Sequence, residues 1–279
     1  MKTFKSLIET DTRTIMIVDS LNLAFRYKHS GAAKFSDDYI KTVDSLKRSY
    51  KADKVIMACD SGSSKFRKSL YPEYKQNRKD KYEQQTEEEA AAFERFFTEF
   101  NVTMENVSKK YPLLRFDKCE ADDIAAYIVN KYGKKYKIWL ISSDADWDLL
   151  ISDNVSRFSY VTRKEITLDN WDTHYDFTPD EYISIKCLTG DAGDNVPGVP
   201  SVGPAKAKEL VSKYGTAYDV AESLPIVSKY KYIAKLNDFG SANILLNYQL
   251  MDLVTHCEEA LGQDNCVTID KVLGAYLSE

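Results

Sequence analysis

Ile138-Trp139-Leu140-Ile141-Ser142-Ser143-Asp144-Ala145-Asp146 is the stretch that decides the fold. Four apolar residues in succession, closed by small polar ones, read as a strand buried on both faces, the habit of a parallel sheet. The strand ends at carboxylates, and two earlier runs do the same: Ile15-Met16-Ile17-Val18-Asp19 and Val55-Ile56-Met57-Ala58-Cys59-Asp60. Between and after them, apolar residues recur at helical spacing. One stripe is Ile40, Val43, Leu46 and Tyr50, and a second is Phe93, Phe96, Phe97, Phe100 and Met104. A third is Ala121, Ile124, Ala125, Ile128 and Tyr132, stopped at Gly133. A further strand is expected through Val155, Phe158 and Tyr160. Such alternation implies an α/β fold: a mainly parallel sheet with helices on both faces. Ligands of these sheets sit beyond the carboxyl ends of the strands, where Asp19, Asp60 and Asp144 all fall.

After about residue 170 the pattern becomes helical only. Thr178-Pro179-Asp180-Glu181 reads as N-cap, first-position proline and capping-box glutamate. The helix it opens ends at Gly190-Asp191-Ala192-Gly193-Asp194, a second acidic turn like that at Asp144 and Asp146. Gly198-Val199-Pro200-Ser201-Val202-Gly203-Pro204-Ala205-Lys206 is a glycine–proline hairpin leading into a helix over Ala207–Tyr214, with further helices expected over Tyr230–Leu236 and Ile244–Leu253.

Bulk composition narrows the class. Five cysteines at 59, 119, 187, 257 and 266, with no CxxC spacing, point to reduced thiols in a cytosol-like compartment. No apolar run approaches a membrane span, and Met1-Lys2-Thr3-Phe4-Lys5 leads into no signal-peptide core, so a soluble protein is expected. The net charge of -5 comes from 43 acids against 38 bases. Setting aside nine acids at expected element ends (Asp19, Asp60, Glu120, Asp122, Asp123, Asp144, Asp146, Asp191 and Asp194) leaves 34 acids, so the remaining surface is basic on balance.

Nine carboxylates brought together repel strongly unless hard divalent cations lie between them. Oxygen donors without a histidine beside them suit Mg²⁺ rather than zinc or iron. Two such ions activate a water and stabilise the leaving oxygen of a phosphodiester. For a lone aspartate a helix cap is the commoner role, and Glu120, Asp122 and Asp123 stand in a first turn that favours acids anyway. Asp144-x-Asp146-x-Asp148 fails as an EF-hand, with Leu149 where glycine and Val155 where glutamate would stand. A haloacid-dehalogenase aspartate pair would follow the first strand, and this one comes midway.

Between Lys65 and Lys81 stand Lys65, Arg67, Lys68, Lys75, Arg78, Lys79 and Lys81 against Glu73 and Asp80, with Tyr71, Tyr74 and Tyr82 among and beside them. Basic side chains contact phosphates and tyrosine faces stack on unpaired bases, which suits single-stranded or frayed nucleic acid. A solvated loop is the bland alternative. Lys75 and Arg78, three apart, are expected on one helical face, aimed at one phosphate. The hairpin before Lys206 and Lys208 suits phosphate binding weakly by itself.

Val18-Asp19-x-x-Asn22-Leu23, Asp60 with Arg67, Tyr74-Lys75-x-Asn77-Arg78, Glu120-Ala121-Asp122-Asp123, Ser143-Asp144-x-Asp146-Trp147-Asp148, Gly190-Asp191-x-x-Asp194-Asn195 and the Gly198–Pro204 hairpin together resemble the structure-specific 5′ nucleases. These are the flap endonucleases and 5′→3′ exonucleases, and the chain looks most like the stand-alone bacteriophage versions. The resemblance covers about residues 12 to 260. It implies a PIN-like nuclease domain over 1–176 with a helical arch at about 62–100. A helical DNA-binding part over 177–279 would carry a helix–two-turn–helix module with its hairpin at 198–206. It further implies that the nine acids bind metal and that Lys75 and Arg78 steer and polarise the phosphate. Arg26, Arg67, Tyr74, Gly203, Lys206 and Lys208 would contact DNA, with Tyr74 stacking on a base. Family hairpins read Gly-x-Gly-x-Lys, whereas Ser201 replaces the first glycine here and Ala205 the lysine, with Lys206 one position late.

The expectation is therefore a Mg²⁺-dependent 5′ nuclease of DNA replication and repair. It would hold two ions with Mn²⁺ as a substitute, and a K⁺ ion at the hairpin. It would act as a monomer on DNA flaps, junctions and 5′ ends in the cytoplasm, the host's if phage-encoded. The alternatives are a PIN-type ribonuclease and an inactive junction-binding protein.

Overall fold

Strands and helices alternate along the described residues, 13–30 and 34–278, of the computed structural model; the reading made at residues 1–5 lies outside them. Six strands form one sheet: β1 (Thr14–Asp19), β2 (Lys54–Cys59), β3 (Leu113–Arg115), β4 (Lys137–Ile141), β5 (Val155–Ser159) and β6 (Lys164–Ile166). The helices before and within it are α1 (Ser20–Ser30), α2 (Ser36–Ser49), α3 (Lys65–Leu70), α4 (Gln76–Glu83), α5 (Glu87–Ser108) and α6 (Ala121–Tyr132). Later come α7 (Pro179–Thr189), α8 (Pro204–Tyr214), α9 (Ala217–Glu222), α10 (Lys231–Met251), α11 (Leu253–Leu261) and α12 (Gln263–Ser278). The chain divides into two compact units. The first comprises Met1–Ser63, Thr86–Leu168 and Cys257–Glu279, the second Ser64–Gln85 and Asp169–His256. The basic segment with α3 and α4 thus belongs to the second unit, and α12 to the first.

In the first unit the strand order is β3-β2-β1-β4-β5-β6, parallel except for β6. Ile17 of the central β1 pairs in register with Ile56 on one side and Leu140 on the other. Because side chains alternate along a strand, Met16, Val18, Val55, Met57 and Cys59 face one layer, packed with Phe96, Phe100 and Met104 of α5 and Tyr39 and Val43 of α2. Ile15, Ile17, Ile56 and Leu140, also fully buried, face the other side, where α6 packs on β1 and β2. The short β3 and β6 carry no periodicity and were not legible in the sequence.

The second unit is mainly helical, with a core of Ile185, Leu188, Leu210, Val220, Leu236 and Leu250 among others. The expectation of helices alone is corrected by a two-residue antiparallel ladder, β7 (Gly190–Asp191) with β8 (Val196–Pro197). Two glycines make it possible. A Cβ on Gly190 (φ +72°) would lie 2.3 Å from the Gly198 nitrogen, and one on Gly198 would lie 2.0 Å from the Thr189 oxygen. The two expected late helices are both present, as two helical stretches of α10 that meet at a kink at Gly240 (φ 77°, ψ 161°), and α8 begins at Pro204, before Ala207. All five cysteines are buried and unbridged. Among the described residues no helix is long and apolar enough to cross a membrane.

Candidate functional site

The first unit gathers carboxylates where β1, β2 and β4 end. Asp19, the last residue of β1, is 4 % exposed. Its Oδ1 accepts the Asn22 N–H at 3.1 Å and its Oδ2 the Ser142 hydroxyl at 2.8 Å. Asp60, next after β2, accepts the Ala121 N–H at 2.8 Å and so ties that strand end to the start of α6. Asp144 accepts the Asp146 N–H at 2.9 Å, capping the 3₁₀ turn Ala145–Leu150, while its own N–H donates to the Ser142 hydroxyl at 3.0 Å. Burial, then the negative charge of Asp60, and more weakly that of Asp144, push the Asp19 pKa well above the usual carboxylate range. The three strand ends therefore converge electrostatically, as the sequence pattern implied.

Two more acids stand beside this edge. Glu120 holds the N-cap position of α6 and is 1 % exposed. Asp122 accepts the Trp147 indole N–H at 2.6 Å, which links α6 to the 3₁₀ turn carrying Asp146. Asp123 follows Asp122 in the first turn of α6. It is wholly enclosed, and its charge adds to burial in raising the thiol pKa of Cys119 and Cys257. Among the described residues, no three acid, thiol or imidazole groups stand at metal-ligand spacing.

Sequence reasoning missed the frame under this edge. Arg157 of β5 forks onto Asp148, Nε to Oδ1 at 2.5 Å and Nη2 to Oδ2 at 2.7 Å, and Nη1 donates to the Ser142 carbonyl at 2.9 Å. The Ser142 hydroxyl then reaches Asp19, and Asn22 Oδ1 accepts the Ser143 N–H at 2.9 Å. No sequence spacing links Arg157 to Asp148, because the strand register that brings them together is a tertiary fact. The exposed Arg26 of α1 lines an open groove of about 500 Å³ with Lys41, Tyr160 and Arg163.

The second unit stitches the basic segment onto the second acidic turn. Asp191 Oδ1 accepts the N–H groups of Gly193 (2.8 Å) and Asp194 (3.2 Å). Its Oδ2 lies 3.3 Å from Nζ of the nearly buried Lys186, a residue the sequence did not flag. Burial works to raise the Asp191 pKa, yet Lys186 and these N–H donors hold it below the usual value. Asp194 takes the Arg78 guanidinium at 2.5 Å, the Tyr74 hydroxyl at 2.8 Å and the Lys75 ammonium at 3.6 Å. The Lys75 N–H donates to the Asp194 carbonyl (2.8 Å) and the Asn77 side chain to the Ala192 carbonyl (2.7 Å).

Several expectations are corrected here. Lys75 does not share a helical face with Arg78: it is the left-handed (φ 56°) residue before α4, its carbonyl accepts the Arg78 N–H at 3.2 Å, and both side chains reach Asp194. Tyr74 is 2 % exposed, so its ring serves the core and its hydroxyl a carboxylate, with no face open to a base. Arg67 is likewise 2 % exposed and donates to the Leu250 carbonyl at 2.7 Å, joining α3 to α10 in place of contacting DNA. Lys208 pairs with the exposed Asp176 at 3.2 Å, a surface contact that does not overturn its expected role. Gly203, at the N-cap of α8, and Lys206 are exposed, as a DNA contact requires.

Two family models match consecutive parts of the chain. The 5′–3′ exonuclease N-terminal resolvase-like domain covers residues 14–176, and the 5′–3′ exonuclease C-terminal SAM fold covers 177–271. A flap endonuclease of Escherichia phage T5 is 42% identical over 259 residues, 90% of this chain and 88% of that one. Flap endonuclease Xni of Shewanella woodyi is 26% identical over 251 residues, 87% of this chain and 93% of that one. The T5 flap endonuclease in a pseudo-enzyme–product complex with DNA and metal ions superposes with a TM-score of 0.91 at 39% identity, covering 96% of this chain and 100% of that one. The T5 5′-exonuclease with divalent zinc ions bound superposes with a TM-score of 0.88 at 40% identity, covering 93% and 98%.

Proposed function

The chain belongs to the 5′–3′ exonuclease family, and from that premise we propose that it is a divalent-metal-dependent 5′ nuclease hydrolysing phosphodiesters of branched or 5′-ended DNA near the single-strand/duplex junction. The observation that carries the reading is Asp19: a carboxylate fixed by two hydrogen bonds among like charges, in a state that a hard cation relieves. The donors are all carboxylate oxygens, which fit Mg²⁺ or Mn²⁺ better than a soft metal. Asp19, Asp60, Glu120, Asp122, Asp144 and Asp146 are the first unit's candidates to hold two ions, and Asp191 and Asp194 the second unit's, with Asp123 as enclosed support. When bound, such ions supply an activated water and charge stabilisation for an in-line displacement.

The chain's own residues do the rest. Ser142 and Asn22 hold Asp19 and the Ser143 backbone in place. Lys75 and Arg78, paired with Asp194 here, exchange that carboxylate for the substrate phosphate and stabilise its developing charge. Arg26, Gly203 and Lys206 contact the DNA backbone, and a K⁺ ion at the hairpin would be coordinated by backbone oxygens there. Five buried, unbridged thiols suit a cytosol-like compartment, the host cytoplasm if the protein is phage-encoded, and a monomer suffices for the reaction.

Cleavage of a 5′-labelled single-flap DNA in Mg²⁺, with products sized to the nucleotide, tests the proposal. Asp144→Asn and Asp191→Asn should lose cleavage while junction binding survives. Near-normal cleavage by both variants overturns it, and equal cleavage of an RNA flap would favour the ribonuclease alternative.

A further inference from the structure

The last helices of the chain grip the helix that opens at Glu120. The C-terminal family match runs from 177 to 271, yet the residues from Cys257 onward pack in the first unit. There α11 and α12 form a hairpin against α6, which carries Asp122 and Asp123 in its first turn. Asn130 donates to the Cys257 sulfur at 3.4 Å, and the Tyr127 hydroxyl donates to Asp270 at 2.9 Å, with Lys131 paired to the same carboxylate. These ties fix the later turns of α6.

The turn of that hairpin reaches the loop before α6. Gly262 (φ 79°) reverses the chain between α11 and α12. Cys119, 3 % exposed, sets its sulfur against this turn, 3.7 Å from the Ala260 carbonyl and 3.8 Å from that of Leu261. The Asn265 side chain donates to the same sulfur at 3.7 Å and to the Leu261 carbonyl at 2.8 Å, which holds the amide in place. The backbone of Cys119 is half of a clip. Its carbonyl accepts the Ser61 N–H at 3.0 Å, and the Ser61 carbonyl accepts the Lys118 N–H at 2.7 Å. Two candidate metal ligands flank this clip: Asp60 precedes Ser61 and Glu120 follows Cys119. Asp60 closes it by accepting the Ala121 N–H at 2.8 Å. Each sulfur contact is weak, but several of them on one enclosed atom fix the loop against the turn.

We propose that Cys119 is a positioning residue: it transmits the hold of the α11–α12 turn to Asp60 and Glu120 and thereby sets the affinity of the first unit for its divalent ions. The inference deepens the nuclease reading and rests on it. Two measurements on the full chain test it: calorimetric titration with Mg²⁺, and amide hydrogen exchange at Ser61 and Ala121 without metal. Cys119→Ala should weaken Mg²⁺ binding by about three- to tenfold, less than the about 10–100-fold lost when a group bonded directly to a metal ligand is removed. Exchange at both amides should quicken, and flap cleavage should recover its kcat at saturating Mg²⁺ with KM unchanged. Cys119→Ser, whose hydroxyl can still donate to the turn, should restore most of the loss. Asn265→Ala removes the donor on the turn's side of the contact and should weaken Mg²⁺ binding in the same direction, which keeps the test open if Cys119→Ala does not fold. Cys266→Ala is the control, because its buried sulfur lies 4.0 Å from the Glu258 carbonyl of the same hairpin. Its loss should lower the urea midpoint and leave Mg²⁺ affinity and both amides as in the wild type. An unchanged Mg²⁺ affinity in folded Cys119→Ala or in Asn265→Ala, with the wild type binding Mg²⁺ and cutting flaps normally, overturns the positioning role and leaves the nuclease reading intact. A serine variant as weak as the alanine one, or an equal loss of Mg²⁺ affinity in Cys266→Ala, overturns it too. A wild type that neither binds Mg²⁺ nor cuts DNA overturns both.

Discussion

Replacing Arg157 with methionine should be among the most damaging single changes in the first unit. The guanidinium makes two charge-assisted bonds to Asp148 at 2.5 and 2.7 Å, and the two side chains are 5% and 0% exposed. Removing one partner of such a pair leaves a buried carboxylate without its countercharge, which costs about 3–5 kcal/mol. The Ser142 carbonyl also loses its 2.9 Å donor, which adds about 1 kcal/mol. The sum is about 4–6 kcal/mol, or a fall in Tm of about 10–20 °C for a unit of this size. Urea unfolding followed by circular dichroism, at neutral pH and without metal, reads the effect directly. The paired variant Arg157→Met with Asp148→Leu removes both charges and should regain most of the loss. A cost below about 1 kcal/mol for Arg157→Met, or a double variant as weak as the single one, would refute the reasoning, because either result means the pair is solvated in solution.

Other expectations concern caps, protons and cations. Thr86→Ala removes the acceptor for the Glu89 N–H at the start of α5 and should cost about 1 kcal/mol, seen as a lower urea midpoint with an unchanged m-value. Partial burial works to raise the Asp44 pKa, yet hydrogen bonds from Lys110 and Tyr111 hold it below the usual value. Its contribution is therefore present above the ordinary aspartate pKa and lost as the pH falls through the lower folded value. The stability gap between wild type and Asp44→Asn should accordingly be full near pH 6 and shrink below about pH 4 in paired urea titrations. Millimolar Mg²⁺ should raise the Tm of the wild type, by about 2.7 kcal/mol in stability at a hundredfold excess over Kd, and raise that of Asp144→Asn clearly less. Equal shifts in differential scanning fluorimetry would remove Asp144 from the metal set.

The sheet was legible because its strands are long apolar runs that stop at aspartates. Ile15–Val18, Val55–Cys59 and Ile138–Ile141 needed no tertiary information. The capping box at Thr178 and Glu181 fixed the start of α7 by a local rule. What escaped was set by distance along the chain. The short β3 and β6 hold their places by register alone, and the β7–β8 ladder depends on two glycine backbones touching. At the site, the acids could be named from their positions, but not their keepers. Ser142, Lys186 and Arg157 look ordinary in sequence and acquire their roles from partners on other elements. Tyr74 and Arg67 erred in the other direction, because a basic, aromatic run reads the same whether its members point outward or inward.

The five enclosed thiols offer a chemical clock on the two units. Burial pushes the pKa of the Cys59 and Cys257 thiols up to about 12 and that of Cys187 higher still, so the native protein holds almost no thiolate at neutral pH. Alkylation must then wait for opening. Cys187 lies in the second unit and the other four in the first. Site-resolved labelling by iodoacetamide would therefore time the opening of each unit in a single unmodified sample.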